Sequence, residues 1–234
     1  GTTLDASIIS KADKLAVIGR AGVGIDNIDI SAATRKGVVV MNTPDANTIS
    51  AAEHTMALLL SLSRNVSYGH HSILNGNWDR HKFIGSELRA KSLGIIGLGK
   101  IGREVMQRAL GFNMKILGFD PFINEEMLRT SEIELLDLDD LVGKSDFITI
   151  HIPLTNDTKN LFNYKMLNKM KKEARIINVA RGGIINESDL AKVLHEGNIG
   201  GAALDVFENE PIESTNPLLS CLLYTSPSPR DLST

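Results

Sequence analysis

Gly97, Gly99 and Gly102 stand in the order GxGxxG, and an acid, Asp120, follows them at about the 20-residue distance at which a dinucleotide ribose needs an acceptor. Each position has a chemical use. The first glycine permits a tight turn, the second lets the main chain approach a diphosphate, and the third lets a helix pack closely on a strand. The start of that helix offers N–H groups and a partial positive charge to phosphate oxygens. An aspartate at the end of the next strand accepts from both ribose hydroxyls and repels a 2′-phosphate. The pattern points to NAD rather than NADP.

Further chemistry-capable residues follow other apolar runs. His151-Ile152-Pro153 comes after Phe147–Ile150, Val179-Ala180-Arg181-Gly182-Gly183 after Arg175–Asn178, and Asp205, then Glu210-Pro211, after Gly201–Leu204. Earlier, the run at 15–18 leads into Gly19-Arg20-Ala21-Gly22-Val23-Gly24. Taken singly, an Arg-Gly-Gly is a surface turn, a Glu before Pro is loop charge, and a lone histidine is a structural hydrogen-bonder. Together they lie where ligands bind in an open parallel sheet, outside the C-terminal ends of its strands.

The elements that must position them are legible as alternation. Short apolar strands are predicted at 15–18, 38–41, 93–96, 115–119, 134–136, 147–150, 175–178 and 201–204. Helical runs lie between them at 103–110, 138–142, 164–170 and 188–195, with Gly111 as a helix stop. Another run at 55–63 is preceded by Ser50 and Glu53 in a capping-box arrangement. That order predicts an α/β fold, a doubly wound parallel sheet with helices on both faces and right-handed crossovers. The chain of 234 residues is long enough to bury a sizeable core. A net charge of −3 with interspersed signs argues against a nucleic-acid or membrane partner. The apolar stretch at 55–62 is too short to cross a bilayer. One cysteine, Cys221, excludes an internal disulfide framework and fits a reducing cytoplasm. No metal site is expected.

Six stretches carry a resemblance: GRAGVGIDNID (19–29), AATRKGVVVMNTP (32–44), NTISAAEHTMALLL (47–60), LGIIGLGKIGREV (93–105), NVARGGIINE (178–187) and GAALDVFENEP (201–211). The chain resembles the D-isomer-specific 2-hydroxyacid dehydrogenases, and within them the branch acting on 3-phosphoglycerate in serine synthesis. The resemblance implies a Rossmann NAD-binding domain over residues 45–219, with an inter-domain helix at about 48–64. It also implies part of a flavodoxin-like substrate domain over residues 1–44. The implied catalytic residues are Arg181, gripping the carboxylate and polarising the carbonyl of a 2-keto acid, and Glu210, orienting a histidine. Gly97, Gly99, Lys100, Ile101, Gly102, Asp120, His151, Ile152, Pro153, Val179, Ala180 and Asp205 are implied to hold NAD. Arg20, Gly22, Val23, Gly24, Asn47 and Arg181 are implied to hold the substrate, with the N–H groups of Gly22, Val23 and Gly24 on its carboxylate and Arg80 and Lys82 as candidates for a phosphate. Where members of the family often have Arg and Thr, this chain has Lys100 and Val23.

The resemblance further implies a histidine in a PHxGA-type segment beyond Glu210. The family wording stops near Leu218, and no histidine follows His195. The chain as it stands is therefore expected to be a fragment, truncated at both ends and weakly active or inactive. Residues 220–234 are expected to be a foreign or disordered Ser/Pro-rich tail. A homodimer is implied, through the NAD-binding domain and the segments 47–64 and 68–78. The alternatives are a hydroxypyruvate, glyoxylate or D-lactate reductase, and an NADH-sensing corepressor-like binding protein.

Overall fold

The computed structural model describes residues 2–123, 132–221 and 223–225. They form two compact units, residues 2–50 and residues 51–225. The first contains α1 (Ala6–Lys11), β1 (Val17–Gly19), α2 (Ile30–Arg35) and β2 (Val39–Met41). Asp5 and Asp29 cap the two helices, accepting from the N–H groups of Ile8 and Ala32 at 2.9 and 2.8 Å. β1 and β2 pair in parallel, Ile18 beside Val40, over a small core of Ile9, Ile18, Ile28, Ala32, Ala33 and Val38.

The unit boundary falls inside α3 (Thr48–Arg64), which starts earlier than the capping-box arrangement predicts. Ser50 lies within the helix and its hydroxyl donates back to the carbonyl of Asn47 at 3.1 Å, so it caps nothing. After α3 come α4 (Val66–Leu74) and a 3-10 turn at Arg80–Phe83. Next are β3 (Ser92–Ile96), α5 (Lys100–Gly111), β4 (Lys115–Phe119), β5 (Ile133–Leu135), α6 (Leu138–Lys144) and β6 (Phe147–Ile150). The chain continues through α7 (Tyr164–Leu167), β7 (Arg175–Asn178), α8 (Glu187–His195) and β8 (Gly201–Leu204). α5 ends at Gly111, as expected, and the chain reverses two residues later at Asn113, whose φ is 56°. The expected helix at 164–170 closes after one turn, at Leu167.

These strands form one parallel sheet in the order β5-β4-β3-β6-β7-β8, extended beyond β8 by β9 (Leu223–Thr225). β9 falls in the segment expected to be a tail; it adds to the edge of β8, whose main-chain groups would otherwise be unpaired. Residues 226–234 of that segment lie outside the described residues. β6 and β8 are buried at every position, as strands of a parallel sheet covered on both faces are. One face packs Leu93, Ile95, Phe147 and Ile177 against Leu59 and Leu62 of α3 and Val105 and Ala109 of α5. The other packs Ile96, Ile148, Ile150 and Ile176 against Leu141, Leu167, Leu190 and Val193.

Strand order reverses between β3 and β6. From β3 the chain builds outward through β4 and β5, then returns to the other side of β3. The loops leaving β3 and β6 therefore flank a topological switch point.

Candidate active site

The loop after β3 is shaped by steric limits. Gly97 has a φ of 93°, and a Cβ there would come within 2.5 Å of the carbonyl oxygen of His151. A Cβ on Gly102 would lie 2.1 Å from the carbonyl oxygen of Gly97. Neither neighbour is a side chain that can swing away. Gly99 differs, since a Cβ on it would meet nothing within 4 Å. Gly99 is also the N-cap of α5 and offers no side-chain cap, leaving the first N–H groups of the helix, at Lys100 and Ile101, to other acceptors.

Asp120, just past β4, is pinned beside this loop. One carboxylate oxygen accepts from the Leu98 N–H at 2.8 Å and the other from the Phe122 N–H at 2.9 Å. The Gly97 N–H donates to the Phe119 carbonyl and Arg103 Nε to the Leu98 carbonyl, each at 2.9 Å, so turn, strand end and acid form one rigid piece.

Across the switch point, the His151 N–H donates to the Ile96 carbonyl at 2.7 Å, tying the start of His151-Ile152-Pro153 to the end of β3. The ring of His151 shares a hydrogen bond with Thr149 Oγ1 at 2.9 Å, and desolvation pushes its pKa down to about 3. His151 is a neutral imidazole.

The next two strand ends carry Arg181 and Glu210. Buried Asn178, the last residue of β7, shapes the first loop. Its amide donates to the Arg181 carbonyl at 2.9 Å and its oxygen accepts from the Ala180 N–H at 3.0 Å, with buried Val179 between. Arg181 folds back onto the Ala180 carbonyl at 2.7 Å. A Cβ on Gly182 would stand 1.8 Å from the carbonyl oxygen of Phe207, so the Arg181 loop and the loop after β8 touch main chain to main chain. In the latter, Glu210 Oε1 accepts from the Phe207 N–H at 3.1 Å. Asp205, buried just past β8, donates its N–H to the Asn178 carbonyl at 3.0 Å, and its Oδ1 lies 3.5 Å from His54 Nε2 of α3.

The residues implied for NAD lie in the loops that leave β3, β4, β6, β7 and β8 at one edge of the sheet, or, for Lys100, Ile101 and Gly102, in the first turn of α5. Arg181 and Glu210 share that edge. The substrate candidates Arg20, Gly22, Val23, Gly24 and Asn47 belong to the first unit. There, Arg20 Nη1 donates to Asn27 Oδ1 at 2.5 Å, and the Val23 carbonyl accepts from Asn42 at 2.8 Å. The Gly22 N–H donates to Thr43 Oγ1 at 2.8 Å, which commits one of the three N–H groups implied for a carboxylate. Asn47 Oδ1 is buried with no hydrogen-bond partner among the described residues. Arg80 lines a cavity of about 360 Å³ with Arg64, His70, Trp78 and Phe83, while Lys82 pairs with Asp79 at 2.9 Å.

Sequence reasoning missed three supports of this site: Asn178 as the former of the Arg181 loop, the approach of His54 to Asp205, and a carboxylate, Glu187, under the Glu210 loop. Glu187 stands in the first turn of a helix, where an acid is ordinary compensation of the helix dipole, so nothing in the sequence separates it from a surface charge.

Comparison with known proteins identifies the family. Residues 56–225 match the model of the "D-isomer specific 2-hydroxyacid dehydrogenase, NAD binding domain". The chain is 50% identical over 221 residues to a D-3-phosphoglycerate dehydrogenase of Methanocaldococcus jannaschii, covering 94% of this chain and 42% of that protein. Over 210 residues it is 47% identical to the D-3-phosphoglycerate dehydrogenase of Homo sapiens, covering 90% and 39%. The chain thus spans less than half the length of the curated relatives it matches. A solved D-lactate dehydrogenase from Aquifex aeolicus, complexed with NAD and lactic acid, is similar with a TM-score of 0.88 at 29% identity, covering 98% of this chain and 75% of that one. A Granulicella formate dehydrogenase gives 0.90 at 29% identity, covering 96% and 61%.

Proposed function

The chain belongs to the D-isomer-specific 2-hydroxyacid dehydrogenases and carries their NAD-binding domain, and from that premise we propose that the protein interconverts 3-phosphoglycerate and 3-phosphohydroxypyruvate. The observation that carries this reading is the sharing of one sheet edge by two sets of residues. A dinucleotide cradle lies at the switch point, and Arg181 and Glu210 stand on the adjoining loops.

The residues present fit NAD. Gly97 and Gly102 have no room for a side chain, whereas open space faces Gly99, where a diphosphate would approach an uncapped helix start. Asp120 keeps its negative charge fixed beside that turn, which suits ribose hydroxyls and opposes a 2′-phosphate. His151, Ile152 and Pro153 would wall the crevice from the other side, with Val179, Ala180 and Asp205 toward its nicotinamide end. When bound, the dinucleotide supplies the hydride donor or acceptor.

The remaining work falls to this chain's own side chains. Arg181, a planar and permanently charged fork, would grip the substrate carboxylate and draw electron density from the neighbouring carbonyl. Glu210 would orient the proton-transferring histidine that the family resemblance implies and favour its charged form. His151 cannot take that role, because a ring with a pKa of about 3 does not carry a proton near neutrality. Within the first unit, the resemblance makes Arg20 and the N–H groups of Val23 and Gly24 candidates for a substrate carboxylate, and the orphaned Asn47 oxygen supports a polar ligand there.

NADH oxidation by the full-length protein, followed with 3-phosphohydroxypyruvate, hydroxypyruvate, glyoxylate and pyruvate in parallel, tests the reading. A clear preference for the phosphorylated substrate is the expected result. Turnover of only the unphosphorylated acids would move the function to a general 2-keto-acid reductase, and NADH binding without turnover of any would point to a sensor. We also propose a homodimer formed through α4 and the segment that follows it, in a reducing cytoplasm where Cys221 stays a thiol. Among the described residues, no helix is long and apolar enough to cross a membrane.

A further inference from the structure

We propose that Glu187 is a positioning residue whose buried carboxylate fastens the Glu210 loop to the start of α8, the helix that follows the Arg181 loop, so that the two groups keep one mutual geometry. The inference rests on the roles given above to Arg181 and Glu210. Glu187 is the first residue of α8 and is only 9% exposed, among the most buried charged side chains described. Its Oε1 accepts from the Glu208 N–H at 2.6 Å and its Oε2 from Asn216 Nδ2 at 2.5 Å. Those donors stand at the two ends of the loop that presents Glu210.

The bonds are directional in a way that requires a carboxylate. Asn216 Oδ1 accepts from the Leu218 N–H at 3.0 Å, which fixes its amide with the NH2 toward Glu187. An amide at position 187 would keep an acceptor for Glu208 but set NH2 against NH2 at Asn216. Compensation of the helix dipole does not account for the burial, since Asp189 already supplies a carboxylate in the same turn and accepts from the Tyr164 N–H. A buried carboxylate is costly unless fully hydrogen-bonded, and the bonds that satisfy this one come from the loop it holds.

A second link runs beside the first. Gly182, next to Arg181, abuts the carbonyl of Phe207, and the Phe207 N–H donates to Glu210 Oε1. Arg181 and Glu210 are thus joined through two short routes, one main chain to main chain and one through Glu187. Loss of the second frees the outer half of the loop while the first still holds its root.

The test compares E187A, E187Q and N186A in the full-length protein. Asn186 caps α8 through the Asp189 N–H without touching the Glu210 loop, so N186A reports helix destabilisation alone. Amide hydrogen exchange of residues 206–216 is expected to quicken roughly tenfold or more in E187A, partly in E187Q and not at all in N186A. With 3-phosphohydroxypyruvate and NADH, kcat is expected to fall roughly tenfold to a hundredfold in E187A while NADH affinity stays unchanged, because a small displacement of an orienting group is felt in the chemical step. E187Q should recover part of kcat. Exchange unchanged from wild type would overturn the proposal, as would activity losses that merely track thermal stability in E187A and N186A alike. If E187A fails to fold, E187Q and N216A decide by the same readouts. A wild type that turns over no 2-keto acid would sink the dehydrogenase reading, and exchange alone would then decide the clamp.

Discussion

His151 shows how the fold sets the chemistry of a single residue. Its main chain is tied to β3 and its ring to Thr149, and the surrounding protein strips water from the imidazole until its pKa falls to about 3. The unfolded chain protonates the same ring near its ordinary value of 6.5. Between those values the unfolded state holds a proton that the folded state lacks, so the stability contributed by His151 is fully present above pH 6.5 and drains away as the pH falls toward 3. Between pH 7 and 5 the wild type should lose about 2 kcal/mol more unfolding free energy than H151Q. Denaturant melts of the two proteins across that range measure the difference. Parallel curves would mean that the fold does not hold the ring neutral.

At the scale of elements, the glycine-rich turn separates what a residue does for the fold from what it does for a ligand. Ala at Gly102 drives a methyl into the Gly97 carbonyl, a main-chain atom, and should destabilise the protein by about 1–3 kcal/mol. Ala at Gly99 meets only open space, so G99A should melt as wild type does yet bind NADH at least tenfold more weakly, having filled the gap through which a diphosphate approaches. Thermal melts and NADH titration distinguish the two, and equal binding by G99A and wild type would remove that gap from the cofactor site. The turn was legible in the sequence because its constraints are local: strand, turn, helix and acid lie within one βαβ unit. The buried strands were legible for a related reason, since short, mainly apolar and β-branched runs such as Phe147–Ile150 admit few other placements. What escaped are contacts between distant segments. Glu187 meets Glu208 and Asn216, and His54 meets Asp205, only after the sheet has brought β7, β8 and α3 together. Periodicity also overstated α7, whose helix closes after a single turn, and began the α3 run only at Thr55, whereas the helix implied at about 48–64 by the resemblance coincides with α3.

At the scale of the molecule, the second unit exposes more apolar surface in one sequence segment than a lone folded unit has reason to. Val66, Ile73 and Leu74 of α4, then Trp78 and Ile84 beyond it, are all exposed, Trp78 at 78% and Ile84 at 80%. Isolated exposed hydrophobics are ordinary, but five within one short stretch, beside a cavity lined by Trp78 and Phe83, have the make-up of an interface. In the proposed dimer Trp78 would be the side chain of greatest consequence, because a large aromatic buried in an interface contributes more than its neighbours do. The dimer reading therefore predicts that the wild-type protein sediments as a dimer at about 10 μM, while W78D, whose charge would have to be buried at the same place, dissociates to monomers. Far-ultraviolet circular dichroism should be unchanged, since Trp78 is largely exposed and its replacement opens no core cavity. A wild type that stays monomeric at that concentration would assign the patch to something other than a second copy. A W78D protein that stays dimeric would put the interface elsewhere on the surface. Dissociation with NADH binding intact would show that the cradle at the β3–β6 switch point is complete within one chain, as its hydrogen bonds, all internal to the second unit, require.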